Sequence, residues 1–197
     1  MKKGTIILIS VLAVILLVIL WGVRTYNRMV TADENVVKSW SQVENVYQRR
    51  ADLIPNLVAT VKGYAAHESE TLESVVAARA KATQTTVDPS NLSAEEIARF
   101  QSAQSELGNA LGRLLVSVER YPDLKANQNF LELQAQLEGT ENRITVERQK
   151  YNEGAMQFNA MIRRFPASII AGMGGFEKKG YFEAQKGAEQ APVVSFE

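Results

Sequence analysis

The stretch that decides the fold is Phe130–Phe165, FLELQAQLEGTENRITVERQKYNEGAMQFNAMIRRF, where Phe130, Leu137, Ile144, Tyr151, Phe158 and Phe165 recur at every seventh position and Pro166 ends the run. An apolar residue kept in phase this long turns one seam of a helix continuously toward a neighbour, so helices on either side pack nearly parallel or antiparallel with a shallow left-handed twist. Upstream, Ser93 with Glu96 forms an S-x-x-E capping box that satisfies free backbone donors at a helix start. The helix it opens carries two rows, Ile97, Leu111 and Val118, interrupted at Gln104, and Phe100, Leu107, Leu114 and Tyr121, before Pro122 stops it. Further back, Ile54, Leu57, Val58, Val61 and Ala65 keep the i, i+3, i+4, i+7 spacing of a helix face, and Leu72, Val75 and Val76 resume it.

These patterns predict an all-α fold with bundle helices at about 24–83, 93–121 and 124–165 inside a domain spanning 24–165. Pro55 lacks an N–H and crowds the preceding turn, so a kink or break is expected near Asp52–Pro55. The short connections at about 84–92 and 121–124 make consecutive helices antiparallel, giving a long-helix, up-and-down bundle. The third helix, roughly 55 Å long against about 42 Å for the second, is expected to project, its stripe covered by another chain or segment.

Residues 1–3 form a short basic N-terminus, and residues 4–23 contain no charge. About 20 residues at 1.5 Å each span roughly 30 Å, the hydrocarbon thickness of a bilayer. Trp21 and Arg24 suit the interface at one end, so 4–23 reads as a single-pass transmembrane helix in contact with membrane lipid. The end of the run, LWGVRTYNRM, has no small-x-small site for signal peptidase, which disfavours a cleaved leader. Lys2 and Lys3 on one side are matched by Arg24, Arg28 and Lys38 on the other, and the default for a short basic N-terminus places the bulk domain outside the cytoplasm.

The C-terminal tail, 166–197, mixes glycines at 172, 174, 175, 180 and 187 with Phe176, Tyr181, Phe182 and Phe196, which predicts a short helix and then an ordered loop laid on a surface. Ile169, Ile170, Phe176, Tyr181 and Phe182 are the expected self-association residues, packing across neighbouring helices of an adjacent copy. A wedge of residues 169–176 entering the membrane surface is the alternative. Glycines 172, 174 and 175 are expected to release the tight turn after Phe165–Pro166.

The chemistry-bearing residues point away from catalysis. With 22 basic and 22 acidic residues the chain is balanced, unlike a nucleic-acid binder, and the absence of cysteine removes disulfides and thiolate sites. His67–Glu68 would need a histidine where Thr71 stands to complete a zinc-protease motif, and the glycines of AGMGG lack the following lysine-serine or lysine-threonine pair and the preceding strand of a phosphate loop. Glu141, Arg143, Glu147 and Arg148 cluster near the apolar seam, where Arg49, Arg50 and Asp52 can face them, without the histidines of a di-metal bundle, so Arg49, Asp52, Glu141 and Arg148 are expected to make interhelical polar contacts. Asn127, Asn129, Asn142, Asn152 and Asn159 suggest register-setting amides between helices, or a recognition surface. No catalytic, cofactor-binding or metal-ligating residue is expected.

RRADLIPNLVATVKGYAAHE (49–68), VERYPDLKANQNFLELQAQLEGTENRI (118–144), RQKYNEGAMQFNAMIRRFPASIIAG (148–172) and the closing GYFEAQKGAEQAPVVSF together resemble the LemA family over essentially the whole chain. The resemblance implies a bacterial inner-membrane protein with an N-terminal anchor and an antiparallel helical bundle, and no established catalytic activity. The functional expectation is a non-enzymatic scaffold that self-assembles through its helical domain as a homo-oligomer. The alternative is an adaptor or regulator of another membrane or envelope protein, such as a protease or stress-response component.

Overall fold

The computed structural model describes residues 3–65 and 67–184; the tail residues beyond, Phe196 among them, lie outside that range. Its elements are α1 (Lys3–Tyr64), α2 (Ser69–Gln84), α3 (Ala94–Val118), the single turn α4 (Pro122–Lys125), α5 (Gln128–Arg163) and α6 (Ala167–Gly174). The expected all-α bundle is present, with its boundaries moved.

α1 runs unbroken from the apolar span into the bundle, through Pro55. The reason the expected break is absent lies on α2. A proline at 55 has no N–H for the carbonyl of Ala51, four residues earlier. That carbonyl instead accepts a 2.8 Å hydrogen bond from Arg79 Nε, and the pyrrolidine ring stands on the exposed side of the helix. The chain reverses beyond Tyr64, so the predicted 24–83 helix is two elements. Glu68 fixes this corner by accepting from Arg120 (2.7 Å) and from the Tyr121 hydroxyl (3.0 Å).

α2 descends along α1, and α3 rises from a start capped by Ser93 Oγ, which accepts from the Glu96 N–H (3.3 Å), as the capping box predicts. Asn127 caps α5 in the same way through the Phe130 N–H (3.1 Å). α5 then descends antiparallel to α1. The core forms two clusters along this axis. The distal one joins Ile54, Leu57 and Val61 of α1 with Val75 of α2, Leu107 and Leu114 of α3, and Phe130 of α5. The membrane-proximal one joins Met29, Val36 and Trp40 of α1 with Ile97 and Phe100 of α3, Tyr151 and Phe158 of α5, and Phe182 of the tail.

The lower stripe of the third helix is covered by another segment, as expected, and that cover comes from α1 and the tail of the same chain. Phe165 is not part of the seam: α5 ends at Arg163, Arg164 leaves it in an extended conformation, and Phe165 is 83% exposed.

Candidate functional site

α2 stops at Gln84, so the membrane-proximal half of the bundle lacks the helix that would complete four. The tail fills that place as an extended segment. Phe182 is buried against Trp40, stacked at a 5.9 Å centroid distance, and edge-on to Tyr151 at 5.5 Å. Phe100 completes the aromatic box, edge-on to Trp40 at 5.1 Å.

An extended segment lying on helices has no neighbouring strand to bond its peptides, so side chains must do so. Asn159 Nδ2 donates to the Lys179 carbonyl (2.8 Å) while its Oδ1 accepts from the Lys179 N–H (2.9 Å). Asn152 repeats the arrangement with both groups of Phe182 (2.9 Å each). Gln101 of α3 grips Glu183 from the other side, at 2.8 and 3.1 Å. The spacing is a geometric match: seven residues of helix rise about 10.5 Å and three extended residues cover about 10 Å, so amides a heptad apart meet peptides three apart. Between them, the Gly180 N–H donates to the Leu92 carbonyl (2.7 Å), and the Gly180 carbonyl accepts from the Tyr151 hydroxyl (3.1 Å). Burial, and secondarily the Tyr181 phenol, raises the Tyr151 pKa far above its usual range, which keeps it a donor. At Gly180 the tail passes so close to α3 that a Cβ would lie 2.6 Å from the Ala94 Cα. Lys179, nearly buried, pairs with Asp33 of α1 at 2.7 Å and lies 5.5 Å from the Phe158 ring centre.

Against this geometry the expected site residues divide. Of the self-association set, Phe182 lies in the chain's own core and Ile170 and Phe176 pack against it, while Ile169 and Tyr181 are exposed. The glycines also act differently: Gly172 and Gly174 lie within α6, and Gly175 at φ 70° ends it, with the Phe176 N–H bonded to the Ala171 carbonyl (3.1 Å). Of the interhelical set, Glu141 pairs with Arg50 (3.0 Å), not with Arg49, which is exposed; among the described residues Asp52 accepts only from Gln48 on its own helix (2.7 Å). Arg50 is 4% exposed and also donates to the carbonyl and Oε1 of Gln104, at 3.1 and 2.8 Å. Arg148 donates to the Glu183 carbonyl (2.9 Å) and lies 4.8 Å from the Phe182 ring centre, so it serves the tail. Asn152 and Asn159 likewise hold the tail rather than a neighbouring helix, whereas Asn129 and Asn142 are exposed.

Reasoning from sequence missed Gln101, and it placed Arg50 opposite the Glu141 cluster without singling it out from Arg49 and Asp52. The signal for Arg50 was present: Met29, Val36, Val43, position 50 and Leu57 form one heptad row. His67 is exposed in the α1–α2 corner, and among the described residues no group of three or more His, Asp or Glu could hold a metal ion.

The model of the LemA family matches residues 39–196, most of the bundle together with the tail as far as residue 196. The chain belongs to the LemA family. Among its relatives, magnetosome protein MamQ 2 of Paramagnetospirillum magneticum is 28% identical over 95% of this chain and 74% of its own length. Magnetosome protein MamQ of Magnetospirillum gryphiswaldense is 27% identical over the same shares. Protein LemA of Metamycoplasma hominis is 27% identical over 71% of this chain and 60% of its own length. The family match begins at residue 39 and runs past Phe182, so the clasped tail lies inside the family unit and the apolar span precedes it. That span is long and apolar enough to cross a membrane, and none of it is buried within the protein.

Proposed function

We propose that this LemA-family protein is a non-enzymatic scaffold, anchored by residues 4–23 with its bundle outside the cytoplasm, that self-assembles through its helical domain. The observation that carries this reading is the continuity of α1: one helix, Lys3–Tyr64, leads from the apolar span to the distal end with no linker. Beyond Val23 it extends about 60 Å. A rigid strut of that length holds a surface at a fixed distance from a membrane, which is an architectural property. The polar groups at the clasp support the same reading, because Asn152, Asn159, Gln101 and Arg148 are engaged by the chain's own tail.

Particle size of the intact protein in mild detergent tests this reading, by mass photometry or cryo-microscopy. Discrete multimers are expected, and a monodisperse monomer would refute self-assembly. Crosslinking in cells addresses the adaptor alternative: self-crosslinks support the scaffold, and one dominant foreign membrane protein favours an adaptor.

A further inference from the structure

α6 is the most apolar element after the membrane span, and its position on α1 is defined by three contacts. A Cβ at Gly22 would lie 3.6 Å from Ile170 Cδ1, Phe176 packs on Tyr26 with ring centres 5.5 Å apart, and a Cβ at Gly174 would lie 2.9 Å from the Tyr26 ring. α6 therefore flanks α1 between residues 22 and 26, where the apolar span ends. A bilayer's headgroup layer adds roughly 5–7 Å to each side of the hydrocarbon core, or about four residues of a helix crossing it. With 4–23 in the hydrocarbon, α6 lies in that layer whichever way its outer face turns.

That outer face is apolar. Phe165, Ile169 and Met173, four residues apart, are 83%, 55% and 82% exposed. At the same level of α1, Arg24, Arg28 and Arg164 border an open groove between α1 and the α5–α6 corner, with Trp21 at its edge. None of the ion pairs among the described residues engages these three arginines. Apolar side chains beside unpaired guanidiniums at headgroup depth are the composition of a helix that lies in a membrane interface.

We infer that α6 and Phe165 form an interfacial wedge, seated in the acyl–headgroup boundary of the bilayer that α1 crosses, with Arg24, Arg28 and Arg164 meeting anionic lipid phosphates. The inference rests on the anchor reading of residues 4–23. Its consequence is mechanical: α1 and α6 hold the bundle at two points, so the strut leaves the membrane at a fixed tilt and rotation. The clasped tail continues directly from the wedge, which ties lipid contact to the aromatic core around Phe182.

The test uses the full chain, whose lack of cysteine allows single-site labelling. Val14→Cys, Met173→Cys and Val116→Cys are labelled with an environment-sensitive fluorophore. The proteins are reconstituted into phosphatidylcholine vesicles with or without phosphatidylglycerol, and with spin-labelled lipids quenching either near the headgroup or deep in the chains. The expected result is loss of Val14 emission to the deep quencher and of Met173 emission to the shallow one, while Val116, 73% exposed on distal α3, stays unquenched. Met173 quenching should strengthen with phosphatidylglycerol, and Arg24→Gln, Arg28→Gln and Arg164→Gln together should abolish that strengthening. An unquenched Val14 overturns the anchor and the wedge together. A quenched Val14 with a water-exposed Met173 overturns the wedge alone. A blue-shifted but unquenched Met173 that responds to the protein-to-lipid ratio places a second copy on the face and also overturns it. Met173 quenching that is indifferent to phosphatidylglycerol overturns the part assigned to the arginines.

Discussion

Pro55 and Arg79 are 24 residues apart, yet they act on one carbonyl. The missing proline N–H leaves Ala51 without its helical donor, and the guanidinium supplies one at 2.8 Å. Arg79→Met should cost about 1–2 kcal/mol, the value of a hydrogen bond to a charged donor whose loss strands a partly buried acceptor. In a Pro55→Ala background the alanine N–H takes over, and the same substitution should cost much less. Chemical denaturation of the four proteins in the cycle measures this, and equal costs in both backgrounds would show that Arg79 does not replace the proline donor. The proline was readable in the sequence, but its compensation was not, because the donor arrives from another helix. Arg50, placed beside Arg49 but left out of the expected contacts, was passed over for a different reason. Charge alone did not separate it from Arg49, whereas the heptad row from Met29 to Leu57 did, since neighbouring residues on a helix face directions about 100° apart. Gly180 carries the second prediction at this scale. A methyl there meets the α3 backbone, which cannot yield as a side chain could, so Gly180→Ala should destabilise the protein by about 1–3 kcal/mol. It should also raise proteolysis within the tail, and an unchanged melting temperature and cleavage rate would show that the tail does not lie tight on Ala94.

Helices were legible because each repeats its own evidence many times; the tail was not, because its partners are distributed. The heptads of α3 and α5 predicted Leu107, Leu114, Tyr151 and Phe158 as core, and all four are buried. Truncating Leu114 or Phe158 to alanine should each cost about 2–5 kcal/mol, measured by denaturant unfolding. A negligible cost at either position would mean that its seam is open to solvent. For the tail, composition indicated burial against something. The something was this chain's own α1, α3 and α5, which local periodicity does not reveal, although two asparagines a heptad apart beside Tyr151 and Phe158 marked where a peptide could be held. The two core clusters then make a regional prediction. Truncation after Phe165 removes Phe176 and Phe182 from the proximal cluster and leaves the distal one intact. Amide exchange should accelerate in α1 from about Met29 to Tyr47, while Ile54 to Val61 stays protected. Uniform acceleration along α1 would show one cooperative unit, and no change would show that the tail contributes nothing to the core.

At the scale of the molecule, α1 belongs to two solvents, with every side chain from Gly4 to Trp21 exposed to the surroundings and a buried face beginning at Met29. The change of environment falls between Val23 and Met29, where α6 packs, so the bundle's own packing begins just beyond the span. Each heptad row of the bundle finds its partners among α1 from Met29 onward, α2, α3, α5 and the tail, none of which requires residues 1–23. Deleting residues 1–23 should therefore yield a protein that stays in solution after expression and is strongly helical by circular dichroism. A mainly disordered spectrum would mean that the span helps build the bundle, contrary to the two-cluster core. Helical protein that forms large, lipid-reversible aggregates would have a narrower meaning: the bundle folds without the span, and the apolar face of Phe165, Ile169 and Met173, deprived of its bilayer, drives the association. Adding Met173→Glu to the deletion separates the two causes of insolubility, because it charges that face without touching the core. Recovery of soluble, helical protein by this one change would place the surface responsible on the wedge.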